Sequence, residues 1–433
     1  MAVPIPVVSC PAEIRVVADD YKDILGSHYP AFVAALCGAA FGVHCLCMIA
    51  RFFGFSPSVS TLSRMFDDKE LYPKLNRRHR RRLLRLLNQI KEKPNRYMWA
   101  VDDTLIKRHG KKIWGTYFWY DHATKGTVFG HKLLVVGIVD RKRRLLIPVF
   151  WETLHREDKE QDSEHEKGWE VALRLLRAAI DFGFPKLVVG MDSWFAGEEF
   201  FQELRDSEIP FVIEIRSNRK VMGEKQSDAF DMRVDEYFEN EKRHKVSHNG
   251  KKKWAAEATL YFKDAEKKLK VVAVANGKDR DEKCFAFYVS NKLTWNASQL
   301  WAVARDRWTI EVQFRDLKQI FALGKAAVRS RQAVETSISV SVIALTAIRL
   351  EQIALAERNE DQHARPIPAG TIIREYQLAA LIASVSKLAA GATSPSVERL
   401  KRRLVPENLH QKPTELLQFR KSRDDCGKAR KSA

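Results

Sequence analysis

Between residues 97 and 215 the chain switches repeatedly between short apolar runs and helical periods, and this alternation limits its fold more tightly than any other feature. Strands are expected at 97–101, 132–139 and 144–150, the last two joined by the charged turn Asp140-Arg141-Lys142-Arg143. A helix follows at 169–182, with Val171, Leu173, Leu175, Leu176, Ala179 and Ile180 on its core face; then come a strand at 187–191, a helix at 197–205 and a strand at 210–215. The run Leu187-Val188-Val189-Gly190-Met191 is wholly apolar, so that strand must be covered on both sides. The neighbouring helices supply the cover. The expectation is an α/β domain with a mixed sheet faced by helices.

The flanks read differently. Residues 31–50 are nearly uncharged and about as long as a membrane span, but two glycines, three cysteines and His44 favour a buried helix. Residues 56–66 suggest a short helix-turn-helix-like element. Residues 71–96 hold ten Lys/Arg, among them Arg77, Arg78, Arg80, Arg81, Arg82 and Arg85, against the single acid Glu92. Leu83, Leu84, Leu86, Leu87 and Ile90 interleave with these arginines, which gives an amphipathic helix with one heavily cationic face. With 74 Lys+Arg against 55 Asp+Glu the whole chain carries a formal charge of +19. That excess needs an anionic partner, and phosphate contact is the expected use of the face.

Beyond residue 216 the helical alternation stops. Stretches at 258–262, 270–274 and 286–289, separated by lysine-rich turns, read as a β-rich insertion over 217–300. Helical periods return from 298 to past 321 and from 334 to 355, and Pro366, Pro368 and Gly370 lead into a last helical segment. A basic tail closes the chain, with ten Lys/Arg and four acids in 401–433. Six cysteines without a CxxC pair, and a start without a basic-then-apolar leader, fit a reducing, cytoplasmic setting. His44 among Cys37, Cys45 and Cys47 reads as a core histidine, because those positions diverge on a helix.

Three acids stand where chemistry is expected. Asp102 and Asp103 end the first strand, and Asp192 ends the strand 187–191, so all of them project at the rim of a sheet. Taken singly, such aspartates are ordinary turn formers. On the helix beginning near 298, Arg307, Glu311 and Lys318 fall on one face, and Ile310, Phe314, Leu317 and Phe321 form the apolar stripe beside it. Carboxylates gathered at one rim repel unless a cation neutralises them. All-oxygen ligation favours Mg²⁺ or Mn²⁺, and two such ions clamp both oxygens of a phosphodiester displacement.

These residues resemble the DDE transposases of bacterial insertion sequences, in the group whose glutamate helix reads Tyr-x2-Arg-x3-Glu-x6-Lys. Arg307, Glu311 and Lys318 match at full spacing, while Ala304 stands at the Tyr position. Val101-Asp102-Asp103-Thr104, the segment Ser193-Trp194-Phe195-Ala196-Gly197 and Arg216-Ser217-Asn218-Arg219-Lys220 are also similar to that group. The resemblance covers roughly residues 95–350. It implies a ribonuclease H-like mixed sheet with a β-rich insertion, flanked by helical N- and C-terminal regions. The implied organisation is a helical, basic DNA-binding region (1–96), the catalytic core (97–216), the insertion (217–300), the glutamate helix and its successor (301–355) and a C-terminal helical region with the basic tail (356–433).

The resemblance further implies that Asp102 or Asp103, with Asp192 and Glu311, holds two Mg²⁺ or Mn²⁺ ions, while Arg307 and Lys318 grip DNA phosphates. Neighbours on a strand face opposite ways, so one of the adjacent aspartates looks into the site, and Asp102 is favoured. The implied activity cuts double-stranded DNA at the terminal inverted repeats of a mobile element and joins the 3′ ends to target DNA. It would work as a homodimer on DNA, near the bacterial nucleoid, without a membrane. Two other readings share the same residues: an inactive DNA-binding derivative, supported by Ala304, and a metal-dependent nuclease that cuts without joining. Some relatives stack a displaced base on an aromatic residue of the insertion; for Trp254 and Trp295 a core position is the expected reading.

Overall fold

The computed structural model describes residues 10–390, apart from 44, 53–56, 90–93, 111, 122–123, 156–165, 207, 223–231, 263–266, 280–282 and 359–365. His44, Ile90, Lys91, Lys93, nearly all of the acid-rich loop before residue 166, and the basic tail lie outside the described residues. The N-terminal region is helical: α1 (Ala12–Asp19), α2 (Lys22–Leu25), α3 (Tyr29–Ala40), α4 (Leu46–Phe52), α5 (Val59–Phe66) and α6 (Leu71–Gln89). The apolar stretch 31–50 is thus two helices, where one was expected. Gly42, at φ +73°, takes the left-handed conformation that ends α3. Gly38 then lets Ile49 of α4 come so near that a Cβ would stand 2.9 Å from its side chain. The expected helix-turn-helix-like element at 56–66 is the single helix α5, capped by Ser58, whose Oγ accepts from the Thr61 amide at 3.2 Å.

The sheet follows: β1 (Tyr97–Lys107), β2 (Tyr117–Asp121), β3 (Gly126–Asp140), β4 (Leu145–Leu154), α7 (Gly168–Asp181), β5 (Val189–Met191), α8 (Glu198–Asp206) and β6 (Phe211–Ile215). β3 pairs antiparallel with both β1 and β4, and β1, β5 and β6 run parallel. The spatial order β4-β3-β1-β5-β6 is the ribonuclease H-like arrangement, with helices at both ends of the chain. Strand β2, which pairs with the far end of β3, escaped the sequence reading although it is the aromatic run Tyr117-Phe118-Trp119-Tyr120.

The chain continues through β7 (Lys220–Val221), β8 (Met232–Arg233), α9 (Val234–Tyr237), β9 (His244–His248), β10 (Lys251–Phe262), β11 (Lys267–Ala275) and β12 (Ala286–Ser290). This segment is β-rich as expected, and β12 pairs antiparallel with β6, so that β12, β11, β10 and β9 prolong the same sheet. Trp254 and Trp295 are half-buried, the latter against the core. Then come α10 (Ala297–Arg307), α11 (Thr309–Gln319), α12 (Arg331–Arg358) and α13 (Ala369–Ala390). The expected single helix from 298 past 321 is interrupted at Trp308, so Arg307 ends one helix and Glu311 begins the next.

Two apolar cores lie on the two faces of the sheet. One gathers α7 and α8 with Trp99, Val101, Leu134 and Met191; the other gathers α10, α11 and α12 with Met98, Ala100, Val135 and Val212. Ile310, Phe314, Leu317 and Phe321 are all buried in the second, as their spacing predicts. At about 1.5–3 kcal/mol for each side chain, this burial seats α11 on the sheet. A buried ion pair, Arg349 Nη2 to Asp316 Oδ2 at 2.7 Å, ties α12 to α11, and Ser339 Oγ donates to Asn76 Oδ1 at 2.8 Å, tying α12 to α6.

His79 of α6 is fully buried beside Trp151, with Nε2 2.9 Å from the Pro148 carbonyl oxygen, and burial pushes its pKa down to about 3. In the unfolded chain the imidazole titrates near ~6.5. Below that pH the unfolded state takes up a proton that the folded state refuses, so this contribution is present at pH 7 and lost as pH falls. The stability gap between the wild type and His79→Gln is expected to shrink by about 2–3 kcal/mol from pH 7 to 4.5 in urea titrations. A gap that stays constant over this range would exclude a neutral buried imidazole.

Candidate active site

The pleat decides how the adjacent aspartates face. Met98 and Ala100 of β1 point to the core under α10–α12, whereas Trp99 and Val101 point to the α7–α8 core. Alternation therefore places Asp102 on the α10–α11 face and Asp103 on the other. Their partners agree: Arg307 Nη1 lies 3.0 Å from Asp102 Oδ2, and Lys132 Nζ lies 3.0 Å from Asp103 Oδ2. Along β5, Val189 and Met191 face the α7–α8 core. Gly190 faces Arg307 so closely that a Cβ would stand 3.2 Å from the arginine's own Cβ. Asp192, next in alternation, falls on the face of Asp102.

Glu311, in the first turn of α11, meets the other end of the same guanidinium, Arg307 Nη2 to Oε1 at 3.6 Å. Arg307 is only 5% exposed, so the side chain expected to grip phosphate instead spans two carboxylates inside the site. Asp192 raises the pKa of Asp102, Asp103 and Glu311 through its charge, which places all four sequence-selected acids within electrostatic reach at one rim. Burial is the larger cause in each case. It lifts Asp102 to about 7 against the opposing pull of Arg307, and it lifts Asp103 and Glu311 against Lys132 and Arg307. Lys318 is half-buried, and burial lowers its pKa while the charges of Asp121 and Asp103 hold it up.

A fifth acid was missed in the sequence. Glu214 lies on β6 between the buried Ile213 and Ile215, on the α10–α11 face shared with Val212. Its pKa is raised by burial and by Asp192 and Glu311, and lowered by Arg307. The signal was a lone acid inside the apolar run Phe211-Val212-Ile213-Glu214-Ile215. Carboxylates held up by burial and by one another are the hard-oxygen donor set that suits Mg²⁺ or Mn²⁺. In the placement described, Arg307 joins Asp102 to Glu311, and among the described residues no three acids close on one point. Ala304, at the departure from the helix signature, sits half-buried against the core.

The cationic helix α6 is two-sided in a way the composition conceals. Lys74, Arg77, Arg81 and Arg85 recur at helical spacing and are exposed. Arg78 and Arg82 turn inward to Asp23 and Asp20, the second pair at 2.5 Å. The Arg80 guanidinium lies over the Phe150 ring, 3.8 Å from its centroid, where burial lowers its pKa to about 10. The expectation that all six arginines from 77 to 85 face a nucleic acid is thus corrected for Arg78, Arg80 and Arg82. Asp23 of α2, Asp20 just after α1 and the Phe150 ring of β4 engage Arg78, Arg82 and Arg80 respectively.

Residues 30–233 match the family model of the DDE superfamily endonucleases. The matched stretch, a little under half of the chain, takes in α6 and the strands carrying Asp102, Asp103 and Asp192, and it ends before Glu311. No curated protein matches the chain. The DDE endonuclease match supports a transposase- or nuclease-like class that cleaves nucleic acid, with DNA as its substrate. It joins the geometry at the rim, where Glu311 arrives from outside the matched stretch.

Proposed function

We propose that this chain is a DDE transposase of the insertion-sequence type that cuts double-stranded DNA at the ends of a mobile element and joins the freed 3′ ends to target DNA. The observation that carries the reading is the convergence of Asp102, Asp192 and Glu311 on one face of a ribonuclease H-like sheet. The convergence involves an Arg-x3-Glu-x6-Lys sequence, its Arg ending α10 and its Glu and Lys on α11, and lies in a chain that matches DDE endonucleases over its first two acids. Asp102, Asp192 and Glu311 would hold two divalent ions, Mg²⁺ or Mn²⁺, with Glu214 beside them. When bound, such ions supply activation of the attacking hydroxyl and neutralisation of the charge on the leaving oxygen.

The chain's own residues do the rest. Arg307 favours the ionised form of Asp102, which burial alone would keep protonated, and it fixes Glu311 against the rim. Lys318, beside Asp103 and Asp121, is placed to take a phosphate oxygen of the DNA. The exposed row Lys74, Arg77, Arg81 and Arg85 holds the backbone through charge. In the first displacement water attacks the phosphorus, the bond to the 3′ oxygen breaks, and that oxygen leaves as a hydroxyl after taking a proton. In the second, the same hydroxyl gives up its proton as it bonds to the phosphorus of a target phosphodiester, the bond from that phosphorus to the target's 3′ oxygen breaks, and this oxygen leaves as a hydroxyl after taking a proton. Two element ends must be held together for joining, which favours a homodimer on DNA.

The test separates cutting from binding. With Mg²⁺ and DNA carrying the element ends, Asp192→Asn is expected to abolish cleavage, as is chelation of the ion, and to bind DNA as the wild type does. Arg77→Gln, Arg81→Gln and Arg85→Gln together should leave folding intact, weaken binding and reduce the salt slope of binding by about three units. Wild-type cleavage by Asp192→Asn would refute the proposal, and an unchanged slope would remove α6 from the DNA surface.

A further inference from the structure

The pairing register carries the polar rim past its acids. Val101 of β1 pairs with Met191 of β5, Met191 with Ile213 of β6, and Ile213 with Val289 of β12. One step further, Asp102, Asp192, Glu214 and Tyr288 stand in a single row across neighbouring strands. Glu214 pairs directly with Tyr288, and Asp192 keeps an extended backbone, φ −84° and ψ 164°, that prolongs β5. The row belongs to the α10–α12 face, because Tyr288 packs in that core while Phe287 and Val289 pack in the other. Valines bound it on both sides, Val135 opposite Asp102 and Val272 opposite Tyr288.

We propose that Tyr288 is a DNA-binding residue of this rim, its hydroxyl donating to a phosphate oxygen of the strand beside the scissile bond, with Arg305 of α10 drawing the same phosphate by charge. The inference rests on the DNA-cleaving reading for its ligand. Two strand spacings separate Tyr288 from Asp192, roughly 10 Å, or about three nucleotides at ~3.4 Å each. A phosphate held there sets the angle at which its neighbour meets the acids.

The Tyr288 ring is 9% exposed, so packing fixes it. A buried phenol ordinarily has a hydrogen-bond partner. Among the described residues, however, Glu214, Arg307, Arg305 and Asp192 act on this hydroxyl by charge and none by a hydrogen bond. Burial, with the charge of Glu214, raises its pKa, so the group stays protonated and remains a donor. A neutral donor suits this place. A lysine beside Glu214 would pair with that carboxylate and draw it away from a cation, whereas a phenol adds a hydrogen bond without a competing charge. The positive charge comes from the helix above. Arg305 lies in the last turn of α10, half-buried, and pairs with no carboxylate among the described residues. Its neighbours are engaged: Asp306 meets Arg141 and His248 at 2.7 Å each, and Arg307 spans Asp102 and Glu311. A hydroxyl and a guanidinium acting on one point form a phosphate-positioning pair.

The experiment uses the full chain and DNA carrying the element ends. In Mg²⁺, Tyr288→Phe keeps the ring, removes the hydroxyl alone, and is expected to slow cleavage at saturating DNA by about tenfold to a hundredfold. Binding is then measured in Ca²⁺, whose longer and looser oxygen ligation neutralises the acids without favouring the displacement. Here a single methylphosphonate, which removes a phosphate charge and one acceptor oxygen, is moved through about three positions on either side of the scissile bond. The wild type should lose about tenfold in affinity at one position, and Tyr288→Phe and Arg305→Gln less than about twofold there. The scan decides. A wild type with no sensitive position, or an undiminished loss in Tyr288→Phe, overturns the contact whatever the cleavage rate. If Tyr288→Phe does not fold, the scan of Arg305→Gln decides in the same way. A wild type that binds but cuts no DNA would refute the cleaving reading, and the scan would still decide for or against Tyr288.

Discussion

Asp102→Asn is expected to lose metal-dependent DNA cleavage by about a thousandfold or more, and Asp103→Asn by no more than about tenfold. The two side chains are adjacent in the sequence and nearly alike in burial, so composition cannot separate them. The pleat does. Asp102 shares its sheet face with Arg307, Glu311, Asp192 and Glu214, whereas Asp103 is paired with Lys132 on the face of α7 and α8. Removing the Asp103 charge leaves Lys132 unpaired next to Trp194 but leaves the acids under α11 in place. Cleavage rates for the two variants under saturating Mg²⁺ check this; equal losses would mean that β1, which runs on to Lys107 instead of ending at the aspartates as expected, twists both carboxylates into one site.

Arg307→Met is expected to cost about 3–5 kcal/mol at pH 8, because it leaves Asp102 and Glu311 facing each other at a half-buried rim with no cation between them. The loss should be smaller at pH 6. With Arg307 present burial already lifts the pKa of Asp102 to about 7, and without it the value rises further. The unfolded carboxyl titrates near ~3.9. Between these values the folded protein binds more protons than the unfolded chain, so its stability falls as pH rises through that interval. Urea titrations at the two pH values measure the effect. Adding Asp102→Asn to Arg307→Met should restore much of the loss, and a double variant no more stable than the single one would show that Arg307 acts by packing alone.

Much of this was legible in the sequence because apolar period and strand-end position are local properties. The strands at 132–139, 187–191 and 210–215 and the helix at 169–182 lie where their patterns place them, and the stripe Ile310, Phe314, Leu317 and Phe321 is buried as its spacing demands. What was not legible depended on partners distant in the chain. Nothing local to α6 shows that Asp20 and Asp23 take two of its arginines or that Phe150 covers a third. Arg307 could be read as a phosphate grip because its two carboxylates lie outside its own helical turn or four residues along it. Glu214 passed unnoticed for the same reason: only the register of β5, β6 and β12 brings it beside Asp192. The break at Gly42 was visible in principle, since a glycine in a uniformly apolar run has few reasons to be there except to turn.

The order in which the acids occur along the chain has a consequence during synthesis. Asp102 and Asp192 leave the ribosome long before Glu311, and the helix carrying Glu311 is fastened by Arg349 of α12. A nascent or prematurely terminated product therefore carries the complete cationic helix α6 while its acid rim still lacks Glu311. On the proposed function, such fragments would occupy DNA without breaking it and would compete with the finished protein, and strand breaks would await nearly the whole described fold.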